Sequence, residues 1–348
     1  MPKTEDHMTL SRRSHLAVTL FCAALAVPAA AQAAPYHVIN SFTLGGDGGW
    51  DYLNLDPASG NLFITRGTHV MVVDPASGKL VADITGLQGI HGTVFADGRA
   101  YVTEGGANRL AIIDTRSFAK TGEIAVGMRP DGVLCDPVSK RIFTFNSISK
   151  DATAVDVASG KAVGTVPLGG KPEGAVSDGA GTIFVNIEDK SELVAFDAAT
   201  LAVKQRYPLA PCQEPSGIAA DTVHGRVFSG CDNKMIAVTD MKTGKVVAQI
   251  AIGEGVDSNR FDPVTGLVFS SNGESGTMTI AHEDSPDKFT VLQNLATAEG
   301  ARTMELDPKS HRVYVVTADR KPGVATADKP HPRPVPVPGT FKLIVLGR

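Results

Sequence analysis

The sequence predicts an all-β fold, a seven-bladed β-propeller, and three observations carry that prediction. A turn signature recurs at positions 56, 96, 136, 178, 221, 262 and 307, which lie 40 to 45 residues apart along 348 residues. A second turn follows the first in each unit, at Asp74, Asp114, Asp156, Asp197 and Asp240, with His282 where the sixth Asp is due. Each unit therefore holds two hairpins and four strands, with almost no helical periodicity between them. An aromatic residue follows every first turn, as Phe63, Tyr101, Phe143, Phe184, Phe228, Phe269 and Tyr314. Its sevenfold recurrence marks a packing position between adjacent sheets. A closed ring of such units leaves only short, protected strand edges. Two or three immunoglobulin-like sandwiches, the competing architecture, would not give so short a period.

Residues 1–33 read as an export signal peptide. Arg12 and Arg13 supply the positive region, Leu16 to Val27 the apolar one, and Ala31-Gln32-Ala33 the small-x-small cleavage site. The apolar run is too short to span a membrane. Ser11-Arg12-Arg13-x-x-Leu16 partly resembles a twin-arginine signal, although His15 stands where Phe is usual. Residues 34–348 are expected to form one propeller domain, in the periplasm or secreted.

The first strand of that domain, Tyr36 to Leu44, resembles the fourth strands of later units, such as Lys161 to Leu168. Phe341 to Leu346 reads as the third strand of the last unit, where the chain stops. The N-terminal strand is therefore expected to complete the last blade. The first turns read Asp56-Pro57-Ala58-Ser59-Gly60, Asp136-Pro137-Val138-Ser139-Lys140, Asp262-Pro263-Val264-Thr265-Gly266 and Asp307-Pro308-Lys309-Ser310-His311. In each, Asp bonds forward to the backbone and Pro presets φ at the second position; Gly, where present, accepts a positive φ. Residues 322–338 form a Pro-rich loop whose polyproline character suggests a stiff flap over one mouth of the ring.

Composition narrows the function classes. A formal charge of −4 argues against nucleic-acid binding through bulk electrostatics. Four cysteines without a C-x-x-C pair argue against zinc ribbons and c-type haem. Cys212 and Cys231 are expected to form a disulfide, because pairing Asp221 with Arg226 sets Cys231 opposite Ser216, close to the loop that carries Cys212. Cys135 is expected to remain a free thiol. No G-x-S-x-G elbow or evident nucleophile triad is present.

The turn pattern, the period and the leader together resemble the YVTN-type β-propeller repeat family, in particular its periplasmic YncE-like members. The likeness covers essentially all of residues 34–348. It implies the propeller fold and leaves the activity open, because propellers of this kind host binding modules, redox domains and hydrolases. Some YncE-like relatives bind single-stranded DNA. This chain lacks the basic stripe with interleaved aromatics that would support such binding.

In a propeller the innermost strand of each blade lines the central channel. Counting back five residues from each first turn gives Asp51, His91, Asp131, Glu173, Ser216, Asp257 and Arg302 as a ring around one mouth. Repeat symmetry would place similar residues there, so their variety points to a ligand site rather than a merely solvated rim. Four carboxylates against one fixed cation favour a cationic ligand. Asp131, Glu173, Asp257 and His91 are also a candidate set for a divalent cation, with Ca²⁺, Mg²⁺ or Mn²⁺ preferred over copper. Loops after the second strands, carrying Arg66, Glu104, Glu188, Asp232 and Glu274 among others, would stand around this ring. The leading expectation is a monomeric binding or scaffold protein for a small molecule or protein ligand. A metal-assisted hydrolase or lactonase is the alternative.

Overall fold

The structure, a computed structural model, describes residues 1–5, 34–324, 332 and 334–348. The expected export signal falls largely on residues 6–33, outside those described. Two units are distinct, Met1–Ala34 and Pro35–Arg348, and every strand belongs to the second. No helix among the described residues is long and apolar enough to cross a membrane.

Seven four-stranded antiparallel sheets make up a seven-bladed β-propeller. Six blades are consecutive in sequence, within residues 53–84, 90–125, 130–167, 172–208, 215–251 and 256–296. The seventh takes Met304–Leu306, Val313–Thr317 and Lys342–Gly347 and pairs the last of these with His37–Thr43. In register, His37 lies opposite Gly347 and Thr43 opposite Lys342.

The repeat chemistry explains the blade. In the first turn of blade 1, Asp56 accepts the Ala58 amide at 3.1 Å and the Ser59 hydroxyl at 2.6 Å. Gly60 then closes the turn onto the Asp56 carbonyl at 2.8 Å with φ of +75°. Lys140 and His311 take the same left-handed position in blades 3 and 7. The seven aromatics beyond these turns are all buried. They join seven apolar clusters, one at each junction of neighbouring blades, including the junction of blade 7 with blade 1.

The Cys212–Cys231 disulfide is present, with Cα atoms 5.5 Å apart. The register near it differs from the sequence expectation. Cys231 pairs with Pro215, not Ser216, because the ladder shifts between Pro215 and Ile218. The shift is a β-bulge, and it recurs at Ile90/Thr93, Pro130/Val133, Pro172/Ala175 and Val256/Ser258.

Candidate functional site

Those bulges position the mouth. The displaced residue is His91, Asp131, Glu173, Ser216 or Asp257, and the extra residue re-aims its side chain out of the sheet. In blades 2 to 5 a glycine follows: Gly92, Gly132, Gly174 and Gly217. A methyl group on Gly174 would stand 2.6 Å from the Ser216 carbonyl, and one on Gly132 3.0 Å from that of Glu173. Glycine is required because the next blade's backbone occupies the space a side chain would need.

The preceding blade also grips these carbonyls. Thr65 donates to the His91 carbonyl at 2.7 Å and Thr103 to that of Asp131 at 2.8 Å. Asn186 donates to Ser216 at 3.1 Å, and the Ser271 hydroxyl donates to the Arg302 carbonyl. Each mouth residue named here is thus held in place through its backbone while its side chain stays free to vary.

All seven positions, from Asp51 to Arg302, line one cavity of about 550 Å³. Within it, His91 Nδ1 lies 2.7 Å from Asp51 and 3.7 Å from Asp131. These three groups converge closely enough for one ion to touch them all. Glu173 and Asp257 are held differently. Lys171 meets Glu173 at 2.7 Å and also pairs with Glu188, while Arg302 Nε pairs with Asp257. At the mouth, the group whose ligand atoms converge is therefore Asp51, His91 and Asp131, whereas Glu173 and Asp257 are engaged by Lys171 and Arg302.

Burial and mutual repulsion set the electrostatics. Burial, and then the Asp131 charge beside it, push the Glu173 carboxyl up to about 8 against the opposing pull of Lys171. Burial likewise raises Asp131 and Asp257, although His91 and Arg302 pull each back toward the charged form. Burial lowers the His91 imidazole, but the Asp51 hydrogen bond and the Asp131 charge outweigh it and leave its pKa raised. Tyr52 is driven well up by burial and then by the surrounding carboxylates, so it presents a neutral hydroxyl.

Sequence reasoning missed Tyr52, Lys171, Glu214 and Arg320, which also line the cavity. Lys171 was detectable, since it stands two residues before Glu173 on the same strand start. Glu188, Asp232 and Glu274 reach the wall from the outer loops. Arg66 does not. It is buried, donates to the carbonyls of Gly49 at 3.0 Å and Asp47 at 2.8 Å, and stacks 3.6 Å over Phe341. Glu104 is buried too, held by Arg109 at 2.7 Å and Lys120 at 3.2 Å. Pro334 brings the Pro-rich loop to the cavity wall beside Arg320, and Arg320–Lys321 pairs with Val335–Pro336. Residues 325–331 and 333 of that loop lie outside those described, so the expected polyproline flap falls partly there.

A protein-family model, PQQ_2, described as outer membrane protein assembly factor BamB, matches residues 66–329. The chain belongs to that family. Solved structures agree with this BamB-type propeller in fold. Hydrazine synthase of Kuenenia stuttgartiensis is 14% identical with a TM-score of 0.69, over 77% of this chain and 92% of that one. A chain of the mitotic checkpoint complex is also 14% identical, with a TM-score of 0.72 over 97% and 99%. No curated protein matches this BamB-type chain.

Proposed function

We propose that this BamB-type propeller is an exported, YncE-like binding protein that holds a cationic ligand at the channel mouth. One observation carries the reading. Eight carboxylates line the cavity against three fixed cations, Lys171, Arg302 and Arg320, with His91 as a fourth partner. Carboxylates crowded in this way raise one another's pKa, and a bound cation relieves the repulsion. Arg302, already shared between Asp257 and Asp51 at 3.7 Å, would orient an anionic end of the same ligand. Export is supported by the leader and by the disulfide, which belongs to an oxidising compartment.

The test is thermal shift and calorimetry against a panel of amines, Ca²⁺ and Mg²⁺. Wild type should respond to at least one, and Asp131→Asn combined with Asp257→Asn should abolish the response while keeping a cooperative melt. No response from wild type, or equal responses from both proteins, rejects the mouth as a cation site.

A metal-assisted hydrolase is the second reading, favoured by the convergence of Asp51, His91 and Asp131. Those residues could hold a divalent ion, which would supply an activated water. Metal retained after dialysis, together with hydrolysis of ester or lactone probes lost in Asp131→Asn, would favour it over simple binding.

A further inference from the structure

The turn between the first two strands of blade 5 departs from the repeat. The residue three after the turn Asp is Ser or Thr at 59, 77, 117, 139, 159, 200, 243, 265 and 310 and Gly181 after Asp178, but it is His224 after Asp221. Its imidazole replaces the usual hydroxyl, with Nδ1 2.6 Å from Asp221 Oδ2.

Blade 6 departs from the repeat beside it. The position whose amide closes back onto the first turn is Thr115, Val157, Ala198 or Met241 in blades 2 to 5 and Glu283 in blade 6. The Glu283 side chain is only 4% exposed. Neither of its carboxylate oxygens has a hydrogen-bond partner among the described residues. Its Oε1 lies 3.2 Å from His224 Nδ1. Two independent breaks in the repeat, in neighbouring blades, thus meet at one point. The His224 imidazole stands between the two acids, and a buried carboxylate facing a second one is costly unless the group between them carries positive charge.

We infer that Asp221, His224 and Glu283 form a site for a divalent transition-metal ion such as Zn²⁺, at the strand ends away from the mouth. The three residues can each offer one ligand atom within 4.8 Å of the others. Tetrahedral zinc about 2.0 Å from each donor separates its ligands by roughly 3.3 Å, so the 3.2 Å His224–Glu283 contact already suits it and the 2.6 Å Asp221–His224 contact must open. The imidazole nitrogen selects against Ca²⁺ and Mg²⁺. The half-exposed His224 edge leaves an open side for water or a fourth ligand. Arg226 does not compete for the acids of the site, because its guanidinium is bound to Asp240 at 2.6 Å and to Asp287 at 2.8 Å. The same guanidinium ties the hairpin carrying Glu283 to blade 5, since Arg226 Nε also donates to the Pro286 carbonyl.

The experiment uses the Asp131→Asn protein, which weakens the mouth cluster, titrated with Zn²⁺ by calorimetry and with Co²⁺ by visible absorption. One equivalent should bind, with the d–d band of a tetrahedral Co²⁺ centre. His224→Ala and Glu283→Gln should each weaken binding at least about tenfold and abolish the band, as loss of a ligand must exceed loss of its supporting contacts. Asp221 is left intact because its turn depends on it. If the Asp131→Asn protein binds neither ion, the proposal fails. It fails equally if either variant binds like its parent. If Glu283→Gln melts higher than its parent while no protein shows the Co²⁺ band, the two acids share a proton and the proposal is again overturned.

Discussion

At the seven blade junctions the repeat places the same kind of side chain each time: a buried aromatic from Phe63 to Tyr314, ringed by aliphatics. At the mouth it places Asp, His, Asp, Glu, Ser, Asp and Arg at matching positions. The junctions are close-packed, so a change of volume there is felt by both blades. Five of the seven mouth residues are displaced from the ladder, and all seven meet across a cavity. Uniformity marks where the fold is held, and variety marks where the sheets place no demand on identity.

Substitutions should separate these two behaviours. Phe143→Ala, at the junction of blades 3 and 4, should cost about 3–5 kcal/mol, read as a fall in denaturant midpoint. A mouth variant such as Asp257→Asn that cost as much would break the distinction.

Removing the disulfide with Cys212→Ser and Cys231→Ser should cost roughly 3 kcal/mol, since the bond closes a loop of sequence separation 19. Unreduced, unfolded protein lacking residues 1–33 should then titrate one thiol before the substitutions, from Cys135, and still one after them.

Gly174→Ala should cost about 1–3 kcal/mol through overpacking against the Ser216 carbonyl, although it adds a single methyl group. It sharpens the comparison because Glu173, its neighbour, should tolerate Gln. A melting temperature equal to wild type would show that blades 4 and 5 can move apart.

The smallest effect is a pH dependence. Glu173 has its folded pKa raised to about 8, so its contribution to stability is full below its unfolded value and is lost as pH rises through about 8. His91, also raised, acts in the same direction. The ligand-free melting temperature should therefore fall by a few degrees between about pH 5 and pH 9, and Glu173→Gln should flatten part of that slope. Cation affinity should rise over the same interval as the carboxyl loses its proton.

Much of this was legible in the chain. Counting back five residues from each first-turn position reached Asp51, His91, Asp131, Glu173, Ser216, Asp257 and Arg302, because period and turn chemistry are local properties. The bulge at Ser216 was not legible, since an extra residue in a ladder leaves apolar alternation nearly unchanged and shifted Cys231 by one partner. Arg66 looked like a loop cation, and only the fold shows its guanidinium enclosed by the backbone of residues 45–49. Lys171 was passed over because the count chose one position per blade, whereas charge balance in a cavity depends on everything near it.

The bulge has a consequence for how such a protein diversifies. By taking one residue of each of five blades out of register, and securing His91, Asp131 and Ser216 through their carbonyls, the fold makes the mouth a row of interchangeable slots. Each slot can be rewritten by one codon while the blade that carries it keeps its pairing partners. The side chains of the mouth can therefore be exchanged in small steps, with each intermediate still folded.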